Sequence, residues 1–453
     1  MHLLTKTVQS GTSISNLFSG IFSTKYFIDI IIIRESFIEI LKIKKNGKLI
    51  FVNCINLFKV IFSGNLLTNF KLRKDFILII DARKNINIIG INSKNKAYLL
   101  SFKNTQNLFF KEKSSCFIYS INTKSLTCLA SYSVRQKIIF LFRIDQIGSP
   151  RIFKNYLEIK QSHRICYNIV SLNSFNENIF VCIETFNKRP YDKFLVFYYI
   201  DLKSKLVKQK IISRIHSSSY LLIPLSEKFN QGNCLLVISK NFITFVHQNK
   251  NIIIHKKCLL ILTLKEAKQC VISSYAYFKG KNEDFILVAT KEGCLFKLYF
   301  SKVYPKNNLF PTIKIKYFET LKTEVKSMTI LSNGFLFTNM QSGNHCYFQF
   351  INSGKEEKRT QKKFLPRHFF INIHLVDEFV SLSQVVGLEI DNHLNKHPCH
   401  FFALCGTGVS SSVRLLRRAH YFKRIQKKKT KKSAKWIIFY INRIFFNIHY
   451  GIF

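Results

Sequence analysis

Proline and glycine are scarce in this chain, which has 7 prolines and 16 glycines among 453 residues. Long flexible linkers and low-complexity segments are therefore not expected. Hydrophobic residues make up 47% of the sequence, so a large core can be buried and wholesale disorder is excluded. No uninterrupted apolar run approaches the roughly 20 residues of a membrane-spanning helix, and the N-terminus lacks the apolar core of a signal peptide.

Acidic residues are also few: 25 Asp and Glu stand against 70 Lys and Arg, a formal net charge of +45. One interpretation is a polyanionic partner such as RNA. The other is compositional drift, because Lys, Asn, Ile and Phe all have codons rich in A and T. The basic residues are spread along the chain, whereas an electrostatic footprint is expected to cluster. Both interpretations predict non-specific adhesion to anionic surfaces.

The 12 cysteines form no C-x-x-C motif and no compact framework. Most lie within apolar runs, as Cys182, Cys234, Cys294 and Cys346 do, where cysteine behaves as a small hydrophobic residue. Disulfide frameworks belong to short secreted chains. The sequence therefore predicts a reducing compartment, cytosol or nucleus.

Catalytic and cofactor motifs are missing as well: the chain contains no phosphate-binding loop, no G-x-S-x-G and no H-E-x-x-H. The metal-like cluster of the sequence is His393, His397, Cys399 and His400. The Asn, Lys and Pro between these residues favour a solvated turn over a metal site. Asp377 and Glu378 are adjacent on a predicted strand and point to opposite faces, so a structural role in hydrogen bonding between sheets is expected. The sequence thus assigns no catalytic, cofactor-binding or metal-ligating residue, and it leaves the partner-binding residues unknown.

What the chain does contain is a recurring unit of apolar run, polar turn and apolar run. The clearest example has runs at Phe335–Phe337 and His345–Phe350 around the turn Ser342–Asn344. Side chains alternate along a strand, so Tyr347 and Phe348 should point to opposite faces. Two short strands joined by a Gly-Asn turn predict a β-hairpin.

Similar runs recur along the chain at spacings of about eight to twelve residues, which is typical of sandwiches, barrels and propellers. They include Phe37–Ile43, Phe76–Ile80, Ile86–Ile91, Lys137–Phe142, Ile179–Ile183, Cys234–Ser239, Ile252–Ile254, Cys258–Leu262 and Cys294–Phe300. Thr185–Asp192, with Pro190, is interpreted as an exposed loop. Helical periodicity is almost absent before residue 400. A propeller blade takes about 40 to 50 residues, so seven blades need about 280 to 350 residues. Residues 1–385 are therefore predicted to form a seven-bladed β-propeller, although periodicity alone leaves the number of blades open.

A series of motifs in fixed order resembles the first propeller of the splicing factor 3B subunit 3 family. That family is related to the large subunit of cleavage and polyadenylation specificity factor and to damaged-DNA-binding protein 1. The motifs include Phe37–Leu41, Lys74–Leu78, Asn178–Glu184, Phe197–Leu202, Phe335–Phe337 with Gly343–His345, Leu375–Glu378 with Ser381–Ser383, Cys405–Gly408 and Ser410–Arg417. Their collinearity over about 400 residues makes the resemblance specific. Thr407 and Val409 replace the Arg and Pro usual in the Cys-Gly motif.

The resemblance implies three segments: an N-terminal WD40-like propeller over residues 1–385, the opening strands of a second propeller over 386–420, and a tail over 421–453. In the tail, Lys423–Lys435 is either a nuclear-localisation or RNA-contacting run or a solvated linker. Trp436–Phe453 contains Arg443 and His449 and is expected to pack on a partner, or to be the remnant of a truncated reading frame, rather than to cross a membrane.

The resemblance further implies a non-enzymatic scaffold subunit of the splicing factor 3b complex of the U2 small nuclear ribonucleoprotein, located in the nucleus. Its partners would be the HEAT-repeat subunit 1 and the small subunit 5, with at most non-specific contact with RNA, no cofactor and no membrane. A cleavage and polyadenylation factor subunit and a basic propeller that binds RNA directly are the alternatives. A propeller hydrolase is disfavoured by the lack of clustered carboxylates.

Overall fold

A computed structural model of the chain contains strands and turns, and no helix, in the residues that it describes. These are residues 12–440 except 23–27, 44–46, 58, 70–73, 84, 93–95, 104–117, 123–125, 132–136, 145–149, 160–163, 174–177, 187–188, 203, 205, 226–232, 250–251, 260–269, 280–283, 301–312, 332–333, 352–369, 392–399, 408–410, 418–422 and 427–437. Within these ranges, no helix has the length and apolar character needed to cross a membrane.

Seven antiparallel sheets, which we call blades 1 to 7, each consist of four strands that are consecutive in the chain. Blade 1 contains β1 (Asn16–Gly20), β2 (Asp29–Ile33), β3 (Phe37–Ile43) and β4 (Leu49–Asn56). Blade 2 contains β5 (Ile61–Asn69), β6 (Lys74–Asp81), β7 (Ile86–Ile91) and β8 (Ala97–Lys103). Blade 3 contains β9 (Ile118–Asn122), β10 (Thr127–Ser131), β11 (Lys137–Ile144) and β12 (Pro150–Ile159). Blade 4 contains β13 (Arg164–Asn173), β14 (Asn178–Phe186), β15 (Arg189–Asp201) and β16 (Leu206–Ile215).

Blade 5 contains β17 (Leu221–Pro224), β18 (Asn233–Ser239), β19 (Phe242–Asn249) and β20 (Ile252–Leu259). Blade 6 contains β21 (Ile272–Lys279), β22 (Asp284–Thr290), β23 (Cys294–Phe300) and β24 (Ile313–Thr320). Blade 7 contains β25 (Val325–Ile330), β26 (Phe335–Met340), β27 (His345–Phe350) and β28 (Ile373–Phe379). A three-stranded sheet follows, with β29 (Val385–Asp391), β30 (His400–Cys405) and β31 (Ser412–Arg417), and then the pair β32 (Lys423–Gln426) and β33 (Ile438–Tyr440).

The seven blades form a closed ring with their first strands innermost. Strand β1 lies against both β5 and β25, β13 lies against β9 and β17, and β21 lies against β25. Blades 2 and 3 share one apolar core, and the Tyr220 hydroxyl of blade 5 donates to the Ile272 carbonyl of blade 6 at 2.8 Å. The architecture is therefore a β-propeller, as the sequence predicts, and its seven sheets are consistent with seven blades.

The second strand of each blade is buried on both faces, which explains its unbroken apolar sequence. In β26, Leu336 packs into the core shared with blade 6, whereas its neighbour Phe337 packs against blade 1. Tyr347 and Phe348 of β27 divide in the same way, so the predicted alternation of faces is confirmed. Successive side chains of these strands therefore contact the two neighbouring blades in turn, because each sheet packs between two others.

No strand is shared between blades 1 and 7 in the described ranges; the ring closes through packing and side-chain hydrogen bonds instead. The Asn339 amide donates to the Ile14 carbonyl at 3.1 Å, and Nε2 of His345 lies 3.1 Å from the Thr12 carbonyl oxygen. The hydroxyls of Ser19 and Thr329 are 2.7 Å apart across the same junction. Closure therefore depends on the apolar core that blades 1 and 7 share, together with a few polar contacts of the segment around β1.

The prediction of an exposed loop at Thr185–Asp192 is wrong, because β14 runs to Phe186 and β15 begins at Arg189. The register shifts there: Phe186 pairs with Arg189, and Thr185 pairs with Lys193. Residues 190–192 of β15 have no partner in β14, so Pro190 is not required to donate to the ladder, and strands tolerate proline at such a bulge.

The outer strands β12 and β16 were not recognised in the sequence, and β20 is one strand where two runs were predicted. An outer strand faces solvent along its edge, so its apolar periodicity is weak. The inner strand β5 was also missed; it contains Gly64, whose backbone N–H donates to the Asn16 side-chain oxygen of blade 1 at 3.1 Å.

Candidate docking surfaces

A groove of about 290 Å³ lies between the outer strand of blade 2 and the end of blade 1. Ile55 and Leu57 form part of one wall, and Tyr98 and Leu99 of β8 form part of the other. Leu99 is 60% exposed and lies in β8 next to a shift of register, since Ile89 pairs with Leu99 whereas Ile88 pairs with Ser101. Further exposed apolar side chains on β4, β5, β8 and the connection before β5 are Ile50, Phe51, Val60, Phe62 and Phe102. A groove lined by exposed apolar side chains, with more of them on the same two blades, is typical of a site of protein contact.

Local sequence holds the groove in shape. Gly90 of β7 pairs with Tyr98 of β8, and a Cβ atom at position 90 would lie 2.5 Å from the tyrosine ring. The ammonium group of Lys74 sits 5.7 Å from the centre of the same ring. Position 90 therefore requires glycine, because the Tyr98 ring lies against the backbone there. The cation–π contact with Lys74 also holds the Tyr98 ring in position. The groove is thus formed before any partner binds.

The rim of the groove is polar and carries positive charge. The Lys59 ammonium lies 5.2 Å from the Phe102 ring centre and 3.9 Å from a carboxylate oxygen of Asp81. An apolar floor with a charged rim is the usual anatomy of a protein–protein interface. The apolar run Ala97–Phe102 predicts β8 from the sequence, but it does not single out the exposed side chains, because an exposed leucine and a buried one look alike in sequence.

A second apolar surface lies on the three-stranded sheet after blade 7. Phe402 and Leu404 of β30 and Val413 of β31 are exposed on the same face, since Leu404 and Val413 are directly paired. The opposite face holds the buried residues Ala403 and Arg414. The chain therefore covers the first face around Ala403 and Arg414, and the other face presents apolar side chains to solvent.

Arg414 anchors that sheet to the propeller. Its guanidinium donates to the Ser381 carbonyl oxygen at 2.5 Å and to the Asn344 side-chain oxygen at 3.0 Å. Asn344 in turn donates to Glu378 at 2.9 Å. The motifs Gly343–His345 and Ser410–Arg417 contain Asn344 and Arg414, which are about 70 residues apart in the sequence. One hydrogen-bond network joins them, which explains why the two motifs occur together. The expected hydrogen-bonding role of Glu378 is present, but it acts within blade 7 and not between blades; Asp377 accepts from the Glu378 backbone at 2.9 Å.

The metal-like residues His393, His397 and Cys399 lie outside the described residues, and His400 begins β30. A different cluster, Cys166, Cys182 and Glu184, has its potential ligand atoms within 4.8 Å of one another. It does not suit a cation: Lys137 is 3.1 Å from Glu184, and burial raises the pKa of the Cys182 thiol well above its usual range. A buried carboxylate already paired with lysine, next to a neutral thiol, is a structural element. Sequence reasoning missed this cluster because its members come from two strands, β13 and β14, and the paired lysine comes from a third strand, β11.

Four cysteines were expected to be buried because they lie in apolar runs. Cys182, Cys234 and Cys294 are buried, whereas Cys346 is half-buried. Each cysteine that the structure describes is a free thiol. These residues act as core side chains.

Comparison with known proteins agrees with this architecture. Residues 13–378 match the family model described as the RSE1/DDB1/CPSF1 first beta-propeller. Spliceosome-associated protein 130 A of Arabidopsis thaliana is 25% identical to the chain, and Splicing factor 3B subunit 3 of Danio rerio is 24% identical. Pre-mRNA-splicing factor prp12 of Schizosaccharomyces pombe is 25% identical.

Each alignment covers 92% of this chain but only 36%, 36% and 38% of the respective relative. The chain therefore spans a little over a third of the length of these relatives. Because the family model covers most of the chain, and because the seven described blades occupy the matched residues, the chain belongs to the RSE1/DDB1/CPSF1 first β-propeller family.

Proposed function

We propose that this protein is a non-enzymatic scaffold subunit of the splicing factor 3b complex, acting in pre-mRNA splicing in the nucleus. The observation that carries the proposal is the preformed apolar groove with a charged rim on blades 1 and 2. Named splicing factors align with 92% of the chain, which supports the splicing assignment over the polyadenylation alternative. The occupants would be the HEAT-repeat subunit 1 and the small subunit 5, as parts of the U2 small nuclear ribonucleoprotein.

The proposed division of the chain is a propeller over 1–385, the opening of a second propeller over 386–420, and a tail over 421–453. The sheet β29–β31 supports this proposal, because its strands follow one another as blade strands do and one of its faces is apolar and exposed. A propeller blade requires a neighbour on each face. The exposed face of Phe402 and Leu404 would then be the position of the next blade.

The test is co-purification of the chain with splicing factor 3b subunits from nuclear extract. Leu99→Asp places a charge on the groove, and Leu206→Asp is the matched control, because Leu206 is 58% exposed on the outer strand of blade 4. Both substitutions affect exposed strand residues and should leave the fold intact. We expect Leu99→Asp to lose the subunits and Leu206→Asp to retain them. Recovery of polyadenylation factors, or equal retention by both variants, would overturn the proposal.

A further inference from the structure

A cavity of about 720 Å³ opens on the face of the ring at which the first strand of each blade begins. Its lining comes from blades 4, 5, 6 and 7. In antiparallel blades the turn between the second and third strands lies on this same face. Lys240 is in that turn of blade 5, and Lys291 is in that turn of blade 6. The cavity therefore gathers residues that are distant in sequence around the inner side of the ring.

The lining is strongly basic. Its ionisable cations are Lys193, Lys240, Lys291 and Lys326, against the single carboxylate of Glu324. Four positive charges and one negative charge give a formal charge of +3 for the lining. Lys240, Lys291 and Lys326 are exposed, so their ammonium groups reach the solvent of the cavity. Four lysines that are distant in sequence are thus brought together around one opening.

Lys193 is held in position before any ligand arrives. Its ammonium donates to the Ser219 carbonyl oxygen at 2.6 Å and lies 4.7 Å from the centre of the Tyr167 ring. Partial burial lowers its pKa, and the positive charge of Lys240 lowers it further. A bound anion would relieve this repulsion, because an opposite charge favours the protonated ammonium.

Most uncharged polar groups of the lining already have partners. The Tyr220 hydroxyl donates to the Ile272 carbonyl at 2.8 Å, and the Ser273 hydroxyl donates to the Val325 carbonyl at 2.8 Å. The Ser218 hydroxyl lies 2.7 Å from a ring nitrogen of His216. Recognition in this cavity must therefore come mainly from the lysines.

We propose that this cavity binds a segment of acidic peptide whose phosphoserine or carboxylate side chains follow one another at short spacing. A volume of about 720 Å³ exceeds that of a single inorganic anion and lies within the range of ligand sites. Lysine ammonium groups on flexible stems bind such anions as point charges, without the planar geometry that arginine imposes. Several lysines around one opening can engage successive side chains of an extended chain.

A protein ligand is favoured over RNA by the aromatic residues of the cavity. Proteins that bind single-stranded RNA stack successive bases on several exposed aromatic rings. Here Tyr191, which is 84% exposed, offers a free ring, whereas the hydroxyl of Tyr220 is bonded to blade 6 and its ring packs on the core of blades 5 and 6. The lining thus offers charge and one exposed ring, not the series of rings on which successive bases stack.

The experiment measures fluorescence anisotropy with the full chain and three labelled probes: a peptide with four phosphoserines, the same peptide with four serines, and a single-stranded RNA of equal charge. The salt concentration is about 0.15 M, where the Debye length is about 8 Å and distant charges are screened. The variant is Lys240→Ala with Lys291→Ala. The matched control is Lys208→Ala with Lys314→Ala, because both lysines are exposed on the outer strands of blades 4 and 6.

We expect the phosphopeptide to bind and the serine peptide not to bind. The cavity variant should weaken phosphopeptide binding about 5- to 30-fold, and the control should change it less than about 2-fold. Equal weakening by both variants would mean non-specific attraction and would overturn the proposal. It would also be overturned if the RNA bound more tightly than the phosphopeptide and depended on the same two lysines. Subunit capture through the blade 1–2 groove is independent of these lysines, so the two proposals can fail separately.

Discussion

The buried His345 of β27 should make the stability of the closed ring depend on pH. Its Nε2 lies 3.1 Å from the Thr12 carbonyl oxygen, and its Nδ1 lies 3.3 Å from the Met340 backbone nitrogen. The neutral imidazole satisfies both contacts, since Nε2–H donates and Nδ1 accepts. Burial is the main cause that lowers its pKa from 6.5 to about 4; the charge of Arg34 lowers it slightly further, and the hydrogen bond to Thr12 acts in the opposite direction.

The sign and size of the effect follow from the difference between the folded and unfolded proteins. The unfolded chain protonates this histidine near pH 6.5 and the folded chain only near pH 4, so the unfolded state binds more protons in between. Stability from this group is therefore complete above about pH 6.5 and is lost as the pH falls toward 4. Between pH 7.5 and pH 5 the loss from this single group is about 2 kcal/mol.

Urea unfolding of the wild type and of His345→Asn, followed by circular dichroism at several pH values, isolates the contribution of this histidine. The asparagine keeps an acceptor near the position of Nδ1 for the Met340 N–H but does not titrate. At pH 7.5 the variant should be less stable by about 1 kcal/mol for the lost contact with Thr12. Toward pH 5 the wild type should lose about 2 kcal/mol relative to the variant, because the other histidines are common to both proteins. A stability difference that stays constant over this pH range would refute the reasoning.

Two further predictions concern stability and can be checked by the same urea titration. Lys137→Met should destabilise the fold by about 2 to 3 kcal/mol, because the fully buried Glu184 carboxylate loses the lysine 3.1 Å away and keeps Arg164, at 3.6 Å, as its ion-pair partner. The double variant Lys137→Met/Glu184→Leu should recover part of that loss; equal losses in the single and double variants would contradict the ion pair between β11 and β14. Gly293→Ala should lower the free energy of unfolding more than Gly334→Ala does. Both glycines have a positive φ, of 83° and 85°, so alanine is strained at either position. A Cβ at position 293 would also lie 2.6 Å from the Leu321 carbonyl oxygen, whereas nothing lies within 4 Å of a Cβ at position 334. Equal losses of unfolding free energy at the two glycines would show that the close approach of the Leu321 carbonyl to Gly293 does not affect stability.

Sequence alone determined the class of fold, because the second strand of every blade must be apolar on both faces. The predicted runs Phe76–Ile80 and Ile179–Ile183 lie within the second strands β6 and β14. The Ser342–Asn344 turn was equally readable, since Gly343 has a φ of 89°, which favours glycine. The collinear motifs also identified the family before any contact was known.

The tertiary structure alone decided where the surfaces lie. Leu99 and Leu336 are both strand leucines, yet one is 60% exposed and the other is buried, because only the ring determines which strands lie at its outer edge. The basic cavity joins residues from 191 to 326, and no local pattern could group them. Local sequence encodes the pleat and the turn, whereas the position of each sheet in the ring decides which side chains remain available to a partner.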